Sequence, residues 1–220
     1  MAKASTLASF CTELKSRLLT SRDSAALNAI ETDLASHLRS AEVLSQKASS
    51  LAKKRAAELD GAGTELWNLC TKLRRELGDP ETESGVLVGS RKKLLARCRY
   101  FAFLLIDIGR KSTEEREAVG LRDVVHLVRI ALKAARGCLD NMELGASLGA
   151  LQRAAEYIEG AKGKCLNEDI EGEVMKLEVE YFILRTVQVC LTYPTALPPV
   201  IPGHWIHHRR QKCVDYILPE

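Results

Sequence analysis

Residues 129–157, RIALKAARGCLDNMELGASLGALQRAAEY, decide the fold class. Leu121 to Leu139 read as one helix and Met142 to Ile158 as a second, with Asp140 and Asn141 breaking the chain between them and Asn141 placed as the next N-cap. A turn this tight between two such helices makes an antiparallel helical hairpin. The small residues Ala131, Ala134, Ala135 and Cys138 lie on the first helix, and Leu144, Ser147, Leu151 and Ala154 on the second. Small residues at Ala135, Ser147 and Ala154 let two helix backbones approach, while Leu144 and Leu151 fill the space toward a neighbouring hairpin.

These are the offsets of a tetratricopeptide repeat, although Ala131 stands where a large aromatic is usual and no proline closes the unit. A single hairpin cannot bury its outer face, so the rest of the chain is expected to complete a stack. C-terminal to it, Asn167 to Cys190 reads as another helix, capped by Asn167, with Ile170, Val174, Leu177, Tyr181, Leu184 and Gln188 along one face. It resembles the first helix of a further repeat whose second helix does not follow. On the N-terminal side, RKKLLARCRYFAFLLIDIG (91–109) is apolar nearly all round between Tyr100 and Ile108, which predicts a helix covered on most sides. Asp107 is its exception and reads as a buried or edge carboxylate hydrogen-bonded to a neighbouring helix end. Ahead of it, residues 81–90 read as a loop. GTELWNLCTKLRREL reads as an amphipathic helix capped by Thr64, with Leu66, Leu69, Leu73 and Leu77 on one side and Trp67 and Cys70 beside them. From Ser24 to about Leu59, Leu27, Ile30, Leu34, His37, Ala41, Leu44, Ala48 and Leu51 mark the stripe of a long helix that Gly61, Ala62 and Gly63 are expected to end. Ser112 and Glu115 have capping-box spacing, and Glu114, Glu115 and Glu117 suit a helix start.

Composition agrees with an all-α chain. The 220 residues are 46% hydrophobic and 28% charged, enough to bury a core, and only 5% aromatic. Of the six prolines, Pro80 alone precedes residue 194; Pro194, Pro198, Pro199, Pro202 and Pro219 crowd the end, so the body is free to be helical and the end is not. Thirty-two basic against 29 acidic residues leave a formal +3, too evenly mixed for a nucleic-acid footprint. Seven cysteines (Cys11, Cys70, Cys98, Cys138, Cys165, Cys190, Cys213) show no paired spacing of the metal or redox kind and mostly lie in apolar helical settings, which points to a reducing compartment. The N-terminal MAKASTLASFCTELK has no apolar signal core, and the longest apolar run, Tyr100 to Ile106, is far short of the ~20 residues that span a bilayer. Neither secretion nor membrane insertion is expected. The organisation read from these features is residues 1–63 as N-terminal helices that pack on or cap the stack, 64–192 as the helical repeats, and 193–220 as a Pro-rich tail, disordered or a truncated end.

Four runs resemble a known family: TELWNLCTKLRRE (Thr64 to Glu76), LLARCRYFAFLLIDIG (Leu94 to Gly109), the hairpin Arg129 to Tyr157, and LEVEYFILRTV (Leu177 to Val187). Together they are similar to the sporulation-specific protein 22 family, the Glu-Leu-Trp-Asn box and the Arg-Tyr-Phe-Ala-Phe-Leu-Leu-Ile-Asp stretch being the most specific pieces. The resemblance covers roughly Thr64 to Val187 and corresponds to the N-terminal portion of longer arrays. After Leu191 the chain reads TYPTALPPVIPGHWIHHRRQKCVDYILPE, where the family continues with another repeat helix. The resemblance implies antiparallel hairpins stacked as a tetratricopeptide-like α-solenoid. It implies a non-catalytic nuclear scaffold on meiotic chromosomes, which promotes crossover formation and synaptonemal complex assembly through contacts with recombination and synaptonemal complex proteins.

No catalytic constellation stands out: there is no phosphate-binding glycine loop, no nucleophile elbow and no helical histidine pair around a glutamate. No cofactor, small-molecule substrate or metal is expected. His204, His207, His208 and Cys213 have the residue types of a zinc site, but a Pro-rich tail offers no scaffold to hold them. The protein-binding candidates are Arg129, Leu132 and Arg136, on the hairpin face that lines the concave groove of repeat proteins, together with Trp67. A basic groove of this kind would suit a co-chaperone-like adaptor for acidic peptide segments; the alternative for the two arginines is a solvated face, and for Trp67 a place in the core or over the neighbouring hairpin.

Overall fold

Seven α-helices and no strand make up the residues described by the computed structural model, which are 2–21, 23–46, 51–77, 85–111, 120–161 and 168–193. They are α1 (Ala2–Thr20), α2 (Ser24–Gln46), α3 (Lys53–Glu76), α4 (Gly85–Lys111), α5 (Leu121–Asp140), α6 (Leu144–Ala161) and α7 (Glu168–Thr192). α3 on α4 and α5 on α6 pack most extensively, α1 packs mainly on α3 and α2 on α4, and one continuous apolar core runs through all seven. The all-α class follows from the sequence as expected.

α4 is the centre. It touches α2, α3, α5 and α6, and every residue from Leu94 to Gly109 except Arg97 is buried. That accounts for a helix apolar on all sides: with neighbours around it, no face needs to be polar. It also begins earlier than the sequence suggested, since Gly85 to Ser90, read as loop, form its first turns.

Gly61, Ala62 and Gly63 do not end a helix, and Thr64 caps none. α3 runs through all four, with Ala56, Leu59, Gly63, Leu66 and Cys70 as one buried stripe in steps of three and four. The 63/64 division therefore falls inside a helix. Gly63 serves contact rather than termination: a Cβ there would lie 2.7 Å from the Ala102 carbonyl oxygen, and one at Gly109 would lie 2.7 Å from that of Ala56. Two missing side chains thus let α3 and α4 touch backbone to backbone at both ends of their crossing, which outweighs the roughly 1 kcal/mol that glycine costs in a helix. Leu66 and Cys70 are buried as read, whereas Leu69, Leu73 and Leu77 are half-buried.

The helix expected from Ser24 to Leu59 is likewise two helices, α2 ending at Gln46 and α3 starting at Lys53. Asp23 caps α2, its Oδ1 accepting from the Ala26 amide at 2.8 Å. Its buried stripe is Leu27, Ile30, Leu34, Leu38, Ala41 and Ser45. His37 stands beside that stripe, stacked on Phe10 of α1 with ring centroids 3.7 Å apart.

The α5–α6 hairpin forms with one correction. Asn141 closes α5 rather than opening α6: its Nδ2 donates to the Gly137 carbonyl at 2.8 Å, and α6 begins at Leu144. Met142 takes the left-handed conformation (φ 59°) that makes the turn. The Ser112–Glu115 capping box, the acidic run Glu114 to Glu117, Asn167 and the tail with His204, His207, His208 and Cys213 lie outside the described residues. No described helix is long and apolar enough to cross a membrane.

Candidate protein-interaction surfaces

Arg129 and Arg136 lie two turns apart on α5, on the face where α7 docks, and Glu173 and Glu180 of α7 have the same spacing. The pairs meet one to one: Arg129 bonds Glu173, and Arg136 Nη2 donates to Glu180 at 2.7 Å. Leu132, between the arginines, is fully buried. The acidic segment that this basic face binds is therefore one of the chain's own helices. At the surface each such pair contributes at most about 1 kcal/mol, and the equal spacing of the two pairs matches the register in which α7 lies on α5.

α7 has a feature that the sequence reading missed. Its inner face is the one expected: Val174, Leu177, Leu184 and Gln188 are buried, and Ile170 and Tyr181 half-buried. A second apolar stripe runs along the outside, through Met175, Val179, Phe182, Val189 and Tyr193, with Thr186 as the fourth of six positions. Met175, Val179, Phe182 and Tyr193 are each about 60% exposed. Steps of four, three, four, three and four place all six on one side. The signal was in the sequence as a second periodicity offset from the first, hidden because a search for one stripe stops at the first. Apolar side chains aligned along one side of a helix differ from singly scattered surface apolars.

Trp67, on α3, is half-buried against the core, and the guanidinium of Arg99 from α4 lies 4.3 Å from its ring centroid. It covers α4 on one side.

Asp107 is a structural clamp. The carboxylate is fully buried, and it accepts from Ser45 Oγ of α2 at 2.6 Å and from the Tyr157 hydroxyl of α6. Lys111 Nζ lies 3.2 Å away and Arg153 Nε 3.8 Å away. Three helices thus meet on one carboxylate, and two cations with two hydroxyl donors compensate its burial. Burial, then the adjacent Asp107 charge, hold the Tyr157 hydroxyl well above the usual phenol range, so it acts as a donor. A second polar tie joins α2 and α4 to the α5–α6 turn, where Arg97 Nη1 meets Glu31 at 2.6 Å and Lys93 meets Glu143 at 3.2 Å.

The described cysteines behave as small hydrophobes. Cys11, Cys70, Cys98 and Cys138 are buried, with burial pushing the Cys11 and Cys138 thiols up to about 12, while Cys190 on α7 is exposed. Among the described residues no group of three or more His, Cys, Asp or Glu side chains is placed to hold a metal ion. No protein-family model, no curated protein and no solved structure matches this chain.

Proposed function

We propose that this chain is a non-catalytic protein-interaction scaffold, its helical pairs stacked as a tetratricopeptide-like α-solenoid. As in the sporulation-specific protein 22 family that it resembles, it promotes crossover formation and synaptonemal complex assembly on meiotic chromosomes in the nucleus. The observation that carries the reading is the outer stripe of α7. In a chain that pairs α3 with α4 and α5 with α6, α7 stands as the first helix of a further pair, and its outer stripe is a seat for an apolar helix of a partner protein. An adaptor for acidic peptides has less support, since Arg129 and Arg136 already engage Glu173 and Glu180.

The test pairs purified full-length chain, wild type or carrying Met175→Glu, Val179→Glu and Phe182→Glu together, with extracts of meiotic cells. Wild type retains recombination or synaptonemal complex proteins and the triple variant loses them; a deletion strain has fewer crossovers. Recovery of no such protein, together with normal crossover numbers, overturns the proposal.

A further inference from the structure

A cavity of about 380 Å³ opens between the C-terminal turn of α3, the first half of α4 and the C-terminal end of α5. Arg74, Lys92 and Arg99 line it with Gly137, Asp140 and Asn141, so three cations face one carboxylate, and none of the lining residues belongs to α7. That carboxylate is placed for Arg74, 3.8 Å away, and not for Arg99.

Arg99 is the unusual member. It is only 8% exposed, its Nε is buried without a hydrogen bond, and no carboxylate among the described residues pairs with it. Burial and the nearby Arg74 both lower its hold on its proton, the direction expected of a cation short of negative charge. A buried guanidinium normally has a carboxylate or a full set of acceptors. Here it has the face of Trp67 on one side. The C-terminal ends of α3 and α5 supply some negative potential, but the Gly137 carbonyl is already taken by Asn141 Nδ2. Gly137 also keeps the approach open: a Cβ there would have Arg99 Nη1 as its nearest neighbour, at 3.9 Å, so any longer side chain would enter the space over the guanidinium.

We infer that this cavity is an oxyanion-binding site that takes a carboxylate or a phosphate monoester, with Arg99 as its buried anchor and Arg74 and Lys92 as the outer cations. The indole packs against the guanidinium, and the rigid fork of N–H donors matches two oxygens of one anion. The site is independent of the scaffold reading, because an acidic group can bind here whether or not the outer stripe of α7 has a partner.

Isothermal titration of the full-length chain in low-salt buffer, with inorganic phosphate in one arm and glutarate in the other, tests it. Saturable one-to-one binding is expected, and the tighter arm tells phosphoryl from carboxylate recognition. Arg99→Met is expected to weaken binding at least about tenfold, the scale of a lost charge-assisted bidentate contact. Because that variant can also fail to fold, Arg74→Gln with Lys92→Gln gives a second test: both sites are at the surface, and binding should fall several-fold with the helical signal unchanged. Absence of saturable binding to the wild type overturns the inference, as does unchanged affinity in a folded Arg99 variant or in the double variant. Residues 78–84 contain Asp79, Glu81 and Glu83 and follow Leu77, which lines the cavity. If binding is seen only after Asp79→Asn, Glu81→Gln and Glu83→Gln, the chain's own carboxylate is the occupant and the inference also falls.

Discussion

α4 and α7 are helices of similar length, 27 and 25 residues, and both carry apolar side chains on more than one side, yet they have opposite surroundings. α4 has α2, α3, α5 and α6 around it and buries nearly everything from Leu94 to Gly109, whereas α7 packs mainly on α5 and α6 and, among the described residues, leaves Met175, Val179, Phe182, Val189 and Tyr193 outside. The same property therefore has two meanings. Apolarity on every side places α4 in the core, whereas the second apolar stripe of α7 faces outward among the described residues.

Thiol chemistry should separate the two helices most widely. In a Cys165→Ser, Cys213→Ser background, iodoacetamide at neutral pH should modify Cys190 of α7 at least about a hundredfold faster than Cys98 of α4, followed by mass spectrometry. Cys190 is exposed, while Cys98 is fully buried and its thiol is held well above the ordinary range by a hydrogen bond with Cys70 and by burial. Comparable rates would mean that α4 is not enclosed.

A pair of phenylalanines gives the next largest contrast. Phe101→Ala, at a fully buried site, should cost about 3–5 kcal/mol in urea unfolding, whereas Phe182→Ala, 58% exposed, should change stability by less than about 0.5 kcal/mol. A large loss at Phe182 would show that α7 is covered in solution.

Glycine substitutions should differ in sign. Gly109→Val drives a side chain into the backbone of α3 and should cost about 3 kcal/mol, since a helix backbone cannot yield as a flexible side chain can. Gly172→Ala in α7 meets nothing within 4 Å and should raise stability by about 0.5–1 kcal/mol. The smallest effect is electrostatic. Arg129→Glu with Arg136→Glu should destabilise by about 1 kcal/mol or less per pair, and Glu173→Arg with Glu180→Arg should restore the loss in the quadruple variant. No restoration would mean that the pairs do not set the register of α7.

Much of the architecture was legible along the chain. Hydrophobic steps of three and four, one proline before residue 194 and a small-residue hairpin are local signals, and they led to helices, to the α5–α6 turn and to the burial of α4. Local reasoning failed at Gly61 to Thr64, where glycine punctuation and a capping residue suggested a break, because a glycine that ends a helix and one that admits a neighbouring helix look alike in sequence. The site residues were legible only in part. Arg129 and Arg136 are legible from their place on the hairpin, but their partners lie 44 residues away; Trp67 is legible by residue type, but nothing in the sequence sets Arg99 beside it apart from the other basic residues of α4.

The sequence by itself determined the helical class, the hairpin and the apolar stripes, since these depend on backbone propensity and on periodicity within a single helix. Only the tertiary structure decided which of the two stripes of α7 is buried, that Gly63 and Gly109 bring α3 and α4 into contact, and that Asp107 gathers its donors while Arg99 has no carboxylate partner among the described residues. Each of these depends on which distant residues arrive at the same point, and helical periodicity carries no information about that.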